Sequence, residues 1–518
     1  MKNIKYSIYT LLLIFAFSAC SDSVLEKDPV GRFNGEDYLT TDEEAELAII
    51  GVYDYLSVGY NNYGDWSSIF FAKVLPGDDV NAGGGSSSDQ PKLQQLNNFT
   101  LEYDNPALTD VWHSFYRIVN SSNNIINKIS DEVTIREQVI AEAKFFRAFA
   151  YFELVTMWGD VPYYTELPAG QLSVELPRVD KATVYTNIET DLKDAMGVLP
   201  VKSDYPENEK FRVSKGAAQA LLGKMYLYKG DYTLAHQAFN QVITTDEYEL
   251  TPDYSKIWLK EERAGVESLF EVMYTSTNSH DWGGPWDGTA ESNFVVQLMG
   301  PRGDNSFNDL DVIGYTNGWG FNVPTEKFGD LLNAEAGAVR AITSVISEDD
   351  FEAAGGEVNP AGNNNWSAYE GYIRLKYSTI PSETSSGGVT EVNWNTPFKL
   401  IRYADVLLMA AEAYNRDNSD GAAVSLLKEV RERAGFTDHS AWEGLTGDNL
   451  FDFIKNERSL ELAFEGHRFW DLVRWGDASS ELSSRGFTAG KHELYPIPKR
   501  EIDLNPGISA DDQNPGYN

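Results

Sequence analysis

Between Val213 and Tyr228 the apolar side chains Val213, Ala217, Leu221, Met225 and Tyr228 recur at spacings of four, four, four and three. That period lays one apolar stripe along an α-helix, whereas a strand would bury every second residue. Gly230 and Asp231 interrupt the pattern, and Leu234, Ala235, Ala238, Phe239 and Val242 then mark a second helix. Two such stripes joined by a short break must face each other, so the expected unit is an antiparallel αα-hairpin. Gly223 and Ala235 are small enough to let the backbones approach, and Tyr226 and Phe239 fill the space around them.

The hairpin resembles a tetratricopeptide repeat, in which a small residue is followed by an aromatic three positions later and an alanine twelve later, here Gly223, Tyr226 and Ala235. The phase recurs at Ala411, Tyr414 and Ala423, and more faintly at Ala148 and Tyr151, with another helix expected from about Asp110 to Ile129. Residues 148, 223 and 411 lie 75 and 188 positions apart, so the repeats are not in tandem. Long insertions must therefore fold onto the hairpins. The stretches near 60–100 and 251–398 are rich in glycine, asparagine, serine and aromatics, including the flexible run GGGSSSD at 83–89. Only short apolar runs such as Ser268 to Tyr274 there read as strands. The fold expected is mainly α, with tetratricopeptide-like helical hairpins and a large irregular, loop-rich insertion region. No linker divides residues 41–518, which are read as one domain.

The start of the chain carries Lys2 and Lys5, an apolar run around Leu11 to Phe17, then Ser18, Ala19 and Cys20. This is the pattern of a signal peptide over residues 1–19, too short to span a bilayer. The small pair before the cysteine resembles the lipobox of bacterial lipoproteins, which makes Cys20 the acylated (palmitate-bearing) N-terminus and residues 20–40 a polar tether. Cys20 is the sole cysteine, so no intramolecular disulfide can form. Neither a thiol cluster nor the six scattered histidines suggest a metal centre. A net charge of −37 repels phosphate backbones, which excludes nucleic acid as a partner.

Catalytic signatures are missing: the sequence has no HExxH, GxSxG, GxxxxGK[ST] or GxGxxG pattern, and GWG at 318–320 lacks the third glycine. His113, His236 and His467 fall in expected helices and read as packed or capping histidines. Glycoside hydrolysis needs only two carboxylates at the right separation, and 79 acidic residues supply many such pairs, so a hydrolase stays open as a reading. Six of the twelve tryptophans, Trp66, Trp282, Trp286, Trp319, Trp366 and Trp394, fall in the irregular stretches. Indole faces stack on the apolar C–H face of a sugar ring while neighbouring Asp, Asn and Arg take its hydroxyls. The alternative for each ring is burial in the core of an insertion. Trp282 and Trp286, set among Gly283, Gly284, Pro285 and Gly288, have the least local core to cover them.

Residues 456–476, NERSLELAFEGHRFWDLVRWG, read as one helix whose charges Glu457, Arg458, Glu461, Glu465, Arg468, Asp471 and Arg474 pair at i,i+3 and i,i+4 around Leu460, Phe464, Phe469, Trp470 and Trp475. The string is also similar to the most characteristic segment of the SusD/RagB family of outer-membrane lipoproteins. AEAKFFRAFAYFELVTMWGDVPY at 141–163, RYADVLLMAAEAYN at 402–415, YPIPKREIDLNP at 495–506 and QNPGY at 513–517 extend the resemblance along the chain. It implies a non-catalytic protein, lipid-anchored at the outer face of the outer membrane, that captures a glycan, or in some members peptides. It also implies a partner, a TonB-dependent SusC-like barrel to which the ligand is delivered. The ligand-binding residues expected on this basis are Trp282, Trp286, Trp319 and Tyr63 as aromatic platforms, with Asp79, Asn81 and Arg302 as polar partners. No cofactor is expected; the acidic loops would tolerate structural calcium, but no EF-hand-like spacing argues for it. The rival readings are a surface glycoside hydrolase or lyase and a purely structural helical adaptor.

Overall fold

The computed structural model describes residues 38–61, 66–166, 175–276, 291–304, 306–335, 338–358, 366–385 and 387–517. Its frame is a run of helices: α1 (Asp42–Tyr60), α2 (Pro106–Lys128), α3 (Arg136–Trp158), α4 (Lys181–Met196), α5 (Lys215–Lys229), α6 (Tyr232–Ile243), α7 (Tyr403–Arg416), α8 (Asp420–Arg433), α9 (Gly447–Glu461) and α10 (Arg468–Trp475). From α1 to α8 each packs against the next. The hairpins α5/α6 and α7/α8, far apart in sequence, thus stack as neighbours through α6 and α7.

Local chemistry sets the helix limits. Thr41 and Glu44 close a capping box on α1. Ser214 caps α5, which ends at Gly230 in the left-handed region (φ 80°), its N–H reaching the Tyr226 and Leu227 carbonyls. Glycine is needed at 223 because a Cβ there would sit 2.6 Å from the Phe239 ring of α6. Helix α3, apolar nearly all round, is buried on every side between Ala141 and Trp158. Its buried charges are paired: Glu142 with Arg212 at 3.1 Å, Arg147 with Asp191 at 2.7 Å and Glu153 with Lys73 at 2.7 Å.

Strands among the described residues pair two by two and antiparallel. The labelled ones are β1 (Val80–Gly83), β2 (Ser268–Val272), β3 (Phe321–Pro324) and β4 (Phe398–Arg402). β2 pairs with β4, Phe398 opposite Val272, and so clamps the base of the long insertion directly before α7. β1 pairs with β3, Gly83 opposite Phe321, and so ties the first irregular stretch to the second. One hydrophobic core runs through the helices, with a small satellite of Phe307, Leu310, Val323, Phe351, Trp366 and Ile373 under the insertion.

The helix expected over 456–476 is broken. α9 ends at Glu461 and α10 starts at Arg468, with Phe464 (φ 67°) and Gly466 (φ 82°) in left-handed conformations between them. The break re-aims the charges toward other elements. Arg458 Nη1 reaches Asp405 on α7 at 2.5 Å and its Nε reaches Asp471 at 2.7 Å, while Arg474 holds Glu412. Glu461 and Glu465 both receive Arg402, at 2.7 and 2.8 Å. Only Arg474 and Asp471 form an i,i+3 pair within the segment, at 2.9 Å. Isolated surface pairs contribute little, but these are buried, and removing one partner would leave a charge without water.

Candidate functional site

The β1/β3 ribbon brings Trp66 and Trp319 together. Their indoles stack at 4.9 Å with planes 25° apart. Phe294 stands edge-on to both, at 6.2 and 5.3 Å, and Phe321 edge-on to Trp66 at 6.0 Å. Such edge contacts fix ring planes, so the pair is held rigid before any ligand arrives. Both indoles are half-buried and line a cleft of about 440 Å³, with Asp89, Gln297, Arg302, Asp304, Asn317 and Glu391 supplying polar side chains around it.

Glycine builds the cleft floor. A Cβ at Gly318 would lie 2.4 Å from the Gly300 Cα, and the two loop segments meet through Gly303 N–H to the Gly318 carbonyl at 3.1 Å and Gly320 N–H to the Gly300 carbonyl at 3.0 Å. Of the run at 83–89, expected to be flexible, the glycines Gly83 and Gly84 are packed against the second stretch, while Ser86 to Ser88 are exposed. A Cβ at Gly83 would sit 2.2 Å from the Gly320 carbonyl oxygen, Gly84 N–H donates to that oxygen at 2.7 Å, and Asp89 accepts from Gly85 N–H at 2.7 Å. Glycine serves close approach there.

Arg302 lies in the cleft beside Trp319. Its Nη1 donates to the Trp319 carbonyl at 2.9 Å and its Nη2 to Asp304 at 2.8 Å. Three carboxylates and one guanidinium therefore line the cleft, and that guanidinium is paired with one of the three.

Asp79 and Asn81 do not join this site. Asp79 is 1% exposed and its Oδ2 accepts the Phe464 N–H at 2.9 Å, which holds the turn between α9 and α10. Burial, with the adjacent Asp78 carboxylate, pushes its carboxyl up to about 6. Asn81, also buried, donates to Glu370 at 2.8 Å and to the Ala368 carbonyl at 3.2 Å. Both were expected as polar sugar contacts from their place along the family pattern; the pairing of β1 with β3 instead leaves them buried. Tyr63, Trp282, Trp286 and Cys20 lie outside the described residues. Trp366 and Trp394 are core rings, their Nε1–H groups donating to the Gly320 carbonyl at 2.6 Å and to Gln297 at 3.2 Å. Sequence spacing gave no signal for Asp89, Gln297, Asp304, Asn317 or Glu391, which converge from three separate stretches.

His467 is buried at the start of α10, where desolvation holds its pKa well below the ordinary value. His236 meets Asp417 at 2.8 Å. Both serve packing between helices.

Two family models match the chain: the SusD family over residues 317–486 and "Starch-binding associating with outer membrane" over residues 77–227. A SusD-like protein of Formosa agariphila is 29% identical, over 99% of this chain and all of its own. Among solved structures, a laminarin-binding SusD-like protein is 32% identical with a TM-score of 0.78, over 92% of this chain and all of that one. Surface glycan-binding protein A from Bacteroides thetaiotaomicron, in complex with laminarihexaose, shares the fold at 24% identity and a TM-score of 0.78, with 92% of this chain and all of that one covered. The helical frame, the two matched segments and end-to-end likeness to these relatives make this chain a member of the SusD family.

Proposed function

We propose that this protein captures an uncharged glycan at the cell surface and passes it to a TonB-dependent SusC-like transporter, held meanwhile to the outer membrane by lipid on Cys20. The observation that carries the reading is the rigid, half-exposed Trp66/Trp319 pair in a cleft ringed by polar side chains. An indole face takes the C–H side of a sugar ring, the exposed Asn317 amide donates to or accepts from its hydroxyls, and the carboxylates accept from them; Gln297, buried and bonded to Trp394 and the Asn317 carbonyl, shapes the wall instead. Three acids against one arginine, on a chain of charge −37, disfavour sulfated or uronate-rich polymers. The laminarin-binding relative supports the same ligand class.

Capture without turnover fits the carboxyl groups. A glycosidase needs an acid of raised pKa beside its second carboxylate. Among the described residues the carboxyls raised above the usual range are Asp54, Asp79, Glu142 and Glu429, and none of these four lines the cleft. Tyr63, Trp282 and Trp286 remain proposed as further aromatic contacts.

Affinity electrophoresis in laminarin tests the proposal. Trp319→Ala is expected to weaken retention by about 1–3 kcal/mol, the worth of one ring stack with its buried area. Unchanged retention would refute the cleft as the site, and new reducing ends released from laminarin would refute a binding-only role.

A further inference from the structure

The segment that presents Trp319 to the cleft has a second cavity behind it. Ile313 and Tyr315 line that cavity, whereas Asn317, Gly318 and Trp319 line the cleft. The segment is fixed between the two by Thr316 N–H to the Thr379 carbonyl at 2.9 Å and Gly318 N–H to the Pro301 carbonyl at 2.6 Å. The cavity holds about 320 Å³ and shares Ile342 and Ile346 with an adjoining hollow of about 360 Å³. Each volume falls within the range of small-molecule sites.

Its lining differs in kind from that of the cleft. Rings of Trp258, Tyr315 and Tyr377 and several aliphatic side chains form the walls, the polar side-chain groups are hydroxyls and the Trp258 indole N–H, and no lining side chain is charged. Ser378, 1% exposed, is one of the residues lining the cavity, and its buried hydroxyl has no hydrogen-bond partner. A buried unpaired hydroxyl is costly, and an occupant bringing its own hydroxyl would relieve it. Ile342, 63% exposed, stands at the edge shared with the adjoining hollow.

We propose that this cavity is a second carbohydrate site, taking an uncharged sugar ring whose apolar face lies on Tyr315 and the aliphatic wall and whose hydroxyl pairs with Ser378. A charged sugar is excluded because nothing in the lining would offset taking its charge out of water. The inference rests on the glycan-binding reading of the cleft. A polymer that occupies both sites is held more tightly than by either alone, because the second contact forms at high effective concentration.

Calorimetric titration of the full chain with laminarihexaose, and retention in laminarin, tests the second site. In the Trp319→Ala protein a weaker class of laminarihexaose binding is expected to persist, and adding Ile342→Glu or Ser378→Ala should remove it. In the otherwise wild-type protein, Ile342→Glu should lower laminarin affinity about five- to tenfold, the loss of one ring contact. Ser378→Ala should weaken the second class while leaving unfolding unchanged or slightly raised, which a merely structural serine would not do. If Trp319→Ala abolishes all laminarihexaose binding in a folded protein, or if Ile342→Glu and Ser378→Ala both bind as wild type does, the cavity holds water alone and the proposal is overturned. Failure of the cleft reading looks different: Trp319→Ala would then bind as wild type does while the cavity variants weaken binding.

Discussion

Replacing Asp79 with asparagine isolates the cost of one buried charge. The carboxyl is 1% exposed, Oδ2 accepts from Phe464 N–H at 2.9 Å, and Oδ1 has no hydrogen-bond partner. Burial comes first and Asp78 second in raising it from 3.8 to about 6, against the pull of the Phe464 amide and Arg468. A carboxyl whose folded pKa exceeds its unfolded one binds its proton more tightly when folded, so stability is fullest below the unfolded value and falls as pH rises through about 6. At about 1.36 kcal/mol per pKa unit, that interval amounts to about 3 kcal/mol at neutral pH. Asparagine retains an acceptor for the Phe464 amide and carries no charge. Asp79→Asn should therefore match wild type near pH 4 and exceed it by up to about 3 kcal/mol at pH 7.5, read from urea unfolding at each pH. Taking the difference between the two proteins cancels the groups that titrate alike in both. Laminarin retention should not change, since this side chain does not line the cleft. A variant less stable than wild type at pH 7.5 would refute the reasoning, because the ionised carboxylate's bond to Phe464 would then outweigh its desolvation. Lost laminarin retention would restore Asp79 as a ligand contact.

Three further outcomes are expected. Glu461→Gln removes the anion that receives Arg402 at 2.7 Å and Arg433 at 2.5 Å, and should cost about 3–5 kcal/mol in urea unfolding. Against the effect of burial, Arg433, Arg402 and Arg340 hold this carboxyl down at about 2, so its contribution is complete above 4.5 and drains between 4.5 and 2; the variant should lose less stability than wild type across that window. Gly318→Ala drives a Cβ into the Gly300 backbone, and should cost about 1–3 kcal/mol in thermal unfolding and weaken laminarin retention as Trp319 shifts. Cys20→Ser should move the protein from the membrane to the soluble fraction and abolish palmitate labelling; unchanged fractionation would refute the lipid anchor.

What the sequence determined by itself is the set of local elements. The stripe at Ala217, Leu221, Met225 and Tyr228, the stop at Gly230 and the strand near Ser268 each follow from residues a few positions apart and fold as read, though Val213 falls just ahead of the Ser214 cap and the strand ends at Val272. Period, caps and glycine act over one or two turns, and the family strings rest on the same short-range order. Tertiary structure decided everything that depends on distant partners. It broke residues 456–476 at Phe464, because Asp79, nearly four hundred residues earlier, supplies the acceptor for the turn. It stacked α6 on α7 across the long insertion, and of the tryptophans in the irregular stretches it placed Trp66 and Trp319 in the cleft but Trp366 and Trp394 in the core. Whether a ring is covered depends on which remote backbone reaches it, and a single sequence holds no local trace of that contact.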